Sequence, residues 1–301
     1  MRKTESIAEY RRRINRVIDY IADHLDEPLK LRTVAGVACF SEFHFHKIFS
    51  VLMGETLNDF VTRLRIEKAL FLMRYNPRLT LTEVALECGF HTSPNFSRVF
   101  RKKLGVAPRD FDLQAYWQDR KIGKDHPFQS KYYQRELPPD EFEGEFTVSL
   151  QRFPELHFAY IRVFNSYAGG VSEAFARMDT WARMRGLMTE DVRFLGMSQD
   201  DPEITPLEKC RYDVCLTVPK GVRGEGEIQI RRLPAALYGV LRCTGEMAMV
   251  DRAWNYLLKV WLVRSGYQPA PLPAIEYYHR SPLLDGWRWI DFDACLPVKP
   301  L

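Results

Sequence analysis

The first third of the chain reads the same way twice, and this repeat limits the possible folds more than any other feature. Leu29, Leu31, Val34, Ala35 and Phe40 recur fifty residues later as Leu79, Leu81, Val84, Ala85 and Phe90. After a one-residue slip at the turn, Phe45, Lys47, Phe49 and Gly54 recur at an offset of 51 as Phe96, Arg98, Phe100 and Gly105. Each copy is a short helix, a tight turn and a second helix carrying a basic residue between inward-facing aromatics. A helical bundle repeats its apolar spacing for packing alone, and packing gives no reason for a matched Lys47 and Arg98. The layout is that of a helix-turn-helix, whose second helix enters the DNA major groove. Two copies on one chain predict contact with two successive groove segments without dimerisation.

The charge follows the same division. Through Trp117 there are 19 Lys+Arg against 14 Asp+Glu, a net of 19 − 14 = +5, and the remainder holds 24 against 25, a net of −1. The positive excess lies where phosphates would be met. No apolar run approaches the ~18 residues needed to span a bilayer, and no apolar stretch follows the charges of Met1 to Glu5 to mark export. The six cysteines (Cys39, Cys88, Cys210, Cys215, Cys243, Cys295) show no Cys-x-x-Cys pair and no His at zinc spacing, so they read as buried, reduced thiols. The expectation is a cytoplasmic protein with no metal, no cofactor and no membrane partner.

The first helix carries the stripe Ile7, Tyr10, Ile14, Val17, Ile21 and Leu25, with Arg11, Arg12, Arg13 and Arg16 beside it as a solvated face or as phosphate contacts. Ser41 is the expected cap of the first recognition helix, with Phe45, Ile48, Phe49 and Leu52 inward. Phe43, His46 and Lys47 are then left on the outer face: Lys47 for guanine or phosphate, His46 for a base edge, Phe43 for a thymine methyl. In the second unit Ser93 is the expected cap and Pro94 the first helical residue, leaving Ser93, Asn95 and Arg98 to meet the groove, Asn for adenine and Arg for guanine. Thr56 to Tyr75 reads as one helix joining the two units.

The stretch Ala85-Leu86-Glu87-Cys88-Gly89-Phe90, then Ser93-Pro94-Asn95-Phe96-Ser97-Arg98-Val99-Phe100-Arg101-Lys102-Lys103-Leu104-Gly105, then Pro108 and Phe111, resembles the DNA-binding domain of the AraC/XylS transcription regulators. The resemblance covers residues 7 to 117. It implies base reading by Phe43, His46 and Lys47, and a rigid spacer helix holding the recognition helices about one DNA turn, ~34 Å, apart. It also implies RNA polymerase as a partner beside double-stranded DNA. Pro94 stands where the family often has a polar residue, so the second head is expected to read fewer bases.

Residues 118 to 144 mix charges and prolines without period and read as a linker. Beyond them lies a second duplication. At a constant offset of 80, Arg152, Pro154, Arg162, Trp181, Gly186, Pro202, Asp213, Cys215 and Leu216 recur as Arg232, Pro234, Arg242, Trp261, Gly266, Pro282, Asp293, Cys295 and Leu296. Each copy reads strand, strand, helix, strand, strand, with alternating runs such as Phe146-Val148-Leu150. Two such halves meet at a pseudo-twofold cleft, a natural pocket for a small molecule. The expected organisation is multidomain: an all-α tandem helix-turn-helix domain over 1–117, a linker over 118–144 and an α+β duplicated domain over 145–301.

One position breaks the duplication. Leu195-Gly196-Met197 becomes Ile275-Glu276-Tyr277, which adds a carboxyl beside aromatics. A lone Glu on a strand faces solvent by default; a desolvated one walled by rings would hold a delocalised cation. Tyr278 shares its strand face, and Tyr160, Tyr212 and Trp254 are further candidates, each a core residue when taken singly. The strings Asp200-Asp201-Pro202, Cys210-Arg211-Tyr212-Asp213-Val214-Cys215 and Ala274-Ile275-Glu276-Tyr277-Tyr278 resemble the GyrI-like effector-binding domains over 146 to 297. That resemblance implies a small, cationic or amphipathic effector received by Glu276, and a transcription regulator, an activator in the main reading. It also implies a rival: hydrolysis of strained electrophiles with Glu276 activating water and a tyrosine donating a proton. Alkyl transfer by a reactive Cys lacks its Pro-Cys-His motif here.

Overall fold

A computed structural model describes residues 2–113, 115–116, 146–200, 202, 205–284 and 286–301. The linker expected over 118–144 lies outside the described residues. The chain forms two compact units, Met1–Tyr116 and Trp117–Leu301.

The first unit is helical: α1 (Arg2–Asp23), α2 (Leu31–Val37), α3 (Glu42–Met53), α4 (Leu57–Tyr75), α5 (Leu81–Glu87) and α6 (Ser93–Leu104). The hydroxyl oxygens of Ser41, Thr56 and Thr80 accept the first free backbone N–H groups of α3, α4 and α5, and Thr80 and Glu83 complete a reciprocal capping box. Thr92, not Ser93, caps α6: its Oγ1 accepts from the Asn95 N–H at 3.3 Å, so Ser93 is already helical and Pro94 is the second helical residue. Proline costs nothing there either, because that N–H has no partner within the helix. One core gathers Ile14, Val17, Ile18 and Ile21 of α1 around Val34 and Ala35 of α2, Phe45 and Phe49 of α3, and Phe60 and Leu64 of α4. The second head closes on Phe90, Phe96 and Phe100, with Phe111 edge-on to Phe100 at 5.1 Å.

The second unit carries β1 (Val148–Phe153), β2 (Leu156–Phe164), helix α7 (Val171–Met184), β3 (Phe194–Ser198), β4 (Arg211–Thr217), β5 (Gln229–Leu233), β6 (Ala236–Gly245), helix α8 in three consecutive segments (Ala248–Asn255, Tyr256–Trp261, Leu262–Arg264), β7 (Tyr267–Pro269), β8 (Ile275–Tyr278) and β9 (Ile290–Pro300). The main sheet runs β1-β6-β9-β8-β3-β4-β2-β5, with β7 on β9. That order is its own mirror under the 80-residue repeat. Arg162 pairs with Asp213 as Arg242 pairs with Asp293, and Gly196 pairs with Val214 as Glu276 pairs with Ala294. At the centre, β3 meets β8 with Gly196 directly opposite Glu276, its own repeat partner, so the pseudo-twofold passes through this pair. One sheet face carries the helices: Phe175 of α7 packs on Phe194 and Tyr278, and Trp261 of α8 on Gly239. The other face buries Phe158, Tyr160, Leu195, Cys215, Tyr238 and Ile275, with Phe153 of β1 and Leu233 of β5 in the same cluster.

Of the cysteines, Cys39 is exposed and the other five are buried. Cys39 sits in the first helix-turn-helix turn at φ +54, where the second copy has Gly89 at φ +78. Burial pushes the Cys88 thiol up to about 12.

Candidate functional site

In the first unit, α3 presents Phe43, His46 and Lys47 to solvent, Phe43 being 72% exposed. The Lys47 ammonium lies 4.5 Å from the Phe43 ring centroid. On α6, Arg98 is exposed and Asn95 and Ser93 are half-buried; the Arg98 guanidinium donates to Asn95 Oδ1 at 3.1 Å. Lys47 and Arg98 are thus each folded onto a neighbour three or four residues away, where helix periodicity places it. Of the arginine run on α1, Arg12 and Arg13 pair with Glu9 at 2.5 and 2.7 Å, while Arg11 and Arg16 stay exposed. Arg13 also lies 5.0 Å over Phe40 in a groove of about 420 Å³ lined by Glu9, Tyr10, Arg13, Phe40 and His44.

The two heads are stitched together by Arg65 and Gly89, neither of which lies on a recognition helix. Arg65 on α4 donates to the Leu25 carbonyl at 2.9 Å and to the Glu27 carbonyl at 2.7 Å, beyond the end of α1. Gly89, in the turn of the second head, is pressed against the same place: a Cβ there would stand 2.4 Å from the Leu25 oxygen and 2.9 Å from Arg65 Nη2. Only a residue without a side chain accepts both that approach and φ +78.

In the second unit the twofold centre holds Glu276, 9% exposed. Tyr212 Oη donates to its Oε2 at 2.5 Å and Tyr278 Oη to the same oxygen at 2.9 Å, while Trp254 Nε1–H donates to Oε1 at 3.4 Å. Among the described residues no Lys, Arg or His forms an ion pair with it. Burial and the neighbouring carboxyl push both the Tyr212 and the Tyr278 hydroxyl well above the usual phenol range. They remain donors, and Oε1 is held only by the long Trp254 bond. Gly196 makes the arrangement possible: a Cβ there would lie 1.8 Å from Tyr212 Oη and 2.7 Å from Glu276 Oε2.

The rings extend outward from Tyr278 to Phe175 at 5.6 Å and on to Trp287 at 5.0 Å. Trp287 holds φ +64, unusual for a bulky residue, and its Nε1–H donates to Ser172 Oγ at 2.9 Å. Glu276, Tyr278, Trp254 and Tyr212 thus come together. Tyr160 does not join them. It pairs with Cys215, one residue along β4 from Val214, and so projects to the opposite face of the sheet.

Residues 146–286 match the GyrI-like small molecule binding domain, and residues 34–114 match a helix-turn-helix domain. The chain is similar to the SPbeta prophage-derived putative transcriptional regulator YosT of Bacillus subtilis, at 32% identity over 109 residues, which is 36% of this chain and 72% of YosT. It is similar to the regulatory protein SoxS of Escherichia coli at 29% identity over 98 residues, 33% of this chain and 91% of SoxS. The transcriptional regulator Rob of Salmonella typhimurium is 27% identical over 143 residues, 48% of this chain and 44% of Rob. No helix among the described residues is long and apolar enough to cross a membrane.

Proposed function

Because the chain belongs to the AraC-type helix-turn-helix transcription regulators and carries a C-terminal GyrI-like small-molecule binding domain, we propose that it is a cytoplasmic regulator whose second unit senses a small aromatic cation. Effector occupancy at Glu276 alters how the first unit acts at a promoter, with RNA polymerase as the protein partner. Each recognition helix reads one major-groove segment, Phe43, His46 and Lys47 in the first and Ser93, Asn95 and Arg98 in the second.

The observation that carries the effector reading is a buried carboxyl surrounded by ring donors, with no cationic partner among the described residues. Burying such a group without a counter-charge is costly, and a delocalised cation against Tyr and Trp faces relieves that cost through Coulomb and cation–π attraction. The test is a titration of rhodamine 6G, with a neutral aromatic of similar size as control. Glu276→Gln should lower affinity for the cation at least about tenfold, leaving the neutral compound and DNA binding unchanged. Equal cation affinity in the two proteins would overturn the reading.

A further inference from the structure

Helix α8 departs from its repeat partner α7 in one respect: Tyr256–Trp261 winds with i→i+5 hydrogen bonds, as from the Leu262 N–H to the Leu257 carbonyl, whereas α7 is an uninterrupted α-helix. Such winding inserts one extra residue into a turn, is rare, and tends to fall at functional sites. Its place is specific. Trp254 precedes it, and Trp261 ends it. Seven residues, 261 − 254, are close to two α-helical turns, so an unbroken helix would put both indoles on one face. With the extra residue between them, Trp254 is rotated by about 100° from that position, and it points at Glu276 while Trp261 lies on β6 and stacks on Tyr267 at 6.3 Å.

The reason Trp261 is held there is Gly239. A Cβ at that position would stand 2.5 Å from Trp261 Cη2 and 2.7 Å from Cζ3, so the indole rests directly on the strand backbone. Gly239 lies on the same sheet face as Glu276, through Leu296 and Ala294 of β9. In the first half Ala159 and Trp181 stand 80 residues before Gly239 and Trp261, but ahead of the extra residue the spacing is 79, so Ala174, Phe175 and Met178 answer to Ala253, Trp254 and Leu257. There the strand residue has a Cβ, the helix is regular, and the position matching Trp254 is the buried Phe175, which packs on Tyr278. Two departures from the repeat (Gly196 against Glu276, Ala159 against Gly239) and the one extra residue of α8 thus belong to one construction, the i→i+5 turn absorbing that residue so that Trp254 keeps the sheet-facing place Phe175 has in the first half.

We propose that Trp261, seated on Gly239, is the positioning residue of the effector site: it anchors the C-terminal half of α8 so that the i→i+5 turn aims Trp254 at Glu276. The inference rests on the effector reading of Glu276 for its functional meaning. Its structural content stands apart from that reading. Trp254 is the loosest of the three donors on the carboxyl, and its aim depends on an anchor about two turns away.

The test uses the full chain in two measurements. In the ligand-free protein, the Trp254 contribution to fluorescence is isolated by subtracting the spectrum of a Trp254→Phe version, once in the wild type and once with Gly239→Ala. In the second, rhodamine 6G is titrated against wild type, Gly239→Ala and Glu276→Gln. The proposal expects Gly239→Ala to change the Trp254 spectrum and to weaken the dye about tenfold, by losing one aromatic wall, with DNA affinity unchanged. An unaltered Trp254 spectrum overturns it, as does wild-type dye affinity in Gly239→Ala where Glu276→Gln abolishes binding. If wild type and Glu276→Gln bind the dye equally, the effector reading fails and the Trp254 spectrum still decides the positioning claim. Should Gly239→Ala fail to fold, Trp261→Phe, which removes Cη2 and Cζ3 from the contact, carries the same two expectations.

Discussion

Gly196→Ala perturbs the twofold centre by sterics alone, since Gly196 is not among the glycines in the left-handed region. The added Cβ would stand 1.8 Å from Tyr212 Oη, against ordinary contacts of 3.4–4 Å, so the hydroxyl must retreat by 3.4 − 1.8 = 1.6 Å or more. Its 2.5 Å bond to Glu276 cannot survive that displacement. A hydrogen bond to a charged group contributes ~1.5–3 kcal/mol, and replacing Gly by Ala in a strand returns ~0.5–1 kcal/mol, leaving a net loss of about 1–2 kcal/mol. Tyr212→Phe removes the same bond by another route, so the two changes should overlap. In the Gly196→Ala background Tyr212→Phe should cost little, giving a coupling energy of about 1.5–3 kcal/mol, the value of the shared bond. All six tryptophans lie at or beyond residue 117, so urea unfolding followed by tryptophan fluorescence reports the second unit. Additivity of the two substitutions within about 0.5 kcal/mol would refute the claim that Gly196 exists to admit the Tyr212 hydroxyl.

Three further outcomes are expected. Lys47→Ala and Arg98→Ala should each weaken specific DNA binding by about 1–3 kcal/mol at fixed salt with the melting temperature unchanged; retention of full affinity by both would remove the two-headed reading. Gly89→Ala should destabilise the first unit by more than the ~1–2 kcal/mol of left-handed backbone strain, because its Cβ meets the Leu25 carbonyl, and should lower operator affinity by shifting the second head; a thermal scan and a gel-shift titration check both. The Tyr212 and Tyr278 hydroxyls are raised in the folded protein, whereas unfolded phenols titrate near ~10. The stability they contribute is therefore whole below pH ~10 and falls as pH rises beyond it, and Tyr212→Phe should shallow that decline by ~1.4 kcal/mol per pH unit; an unchanged slope in alkaline urea titrations counts against their burial.

Both duplications were legible because repeats record themselves as residue identities at fixed spacing. The Glu276 asymmetry was visible for the same reason: a charge replaces Gly196 where the copies otherwise agree. What sequence withheld was cross-strand register. Tyr160 and Glu276 lie on strands separated by β3 and β4, and whether they share a face depends on pairings that periodicity within one strand does not contain. Tyr212 was a weak candidate for the same reason, although Gly196 opposite Glu276 was a usable hint that some side chain needed the space. The i→i+5 turn leaves only a one-residue slip in the repeat, from 79 at Ala253, Trp254 and Leu257 to 80 at Trp261, which the constant offset elsewhere hides. Thr92 outcompeted Ser93 as a cap because either hydroxyl could serve, and extended backbone at Thr92 decided it. Cys39 read as buried from its apolar neighbours, yet its turn position turns it outward.

If occupancy of Glu276 changes what the first unit does at a promoter, the change must show in transcription. Run-off transcription from a promoter the protein binds, with RNA polymerase and increasing rhodamine 6G, tests it most directly. The dye should change transcript yield with the wild-type protein at concentrations that saturate its binding, and leave yield unchanged with Glu276→Gln at the same DNA occupancy. A dye response of equal size in both proteins, or none in the wild type when the site is saturated, would contradict it.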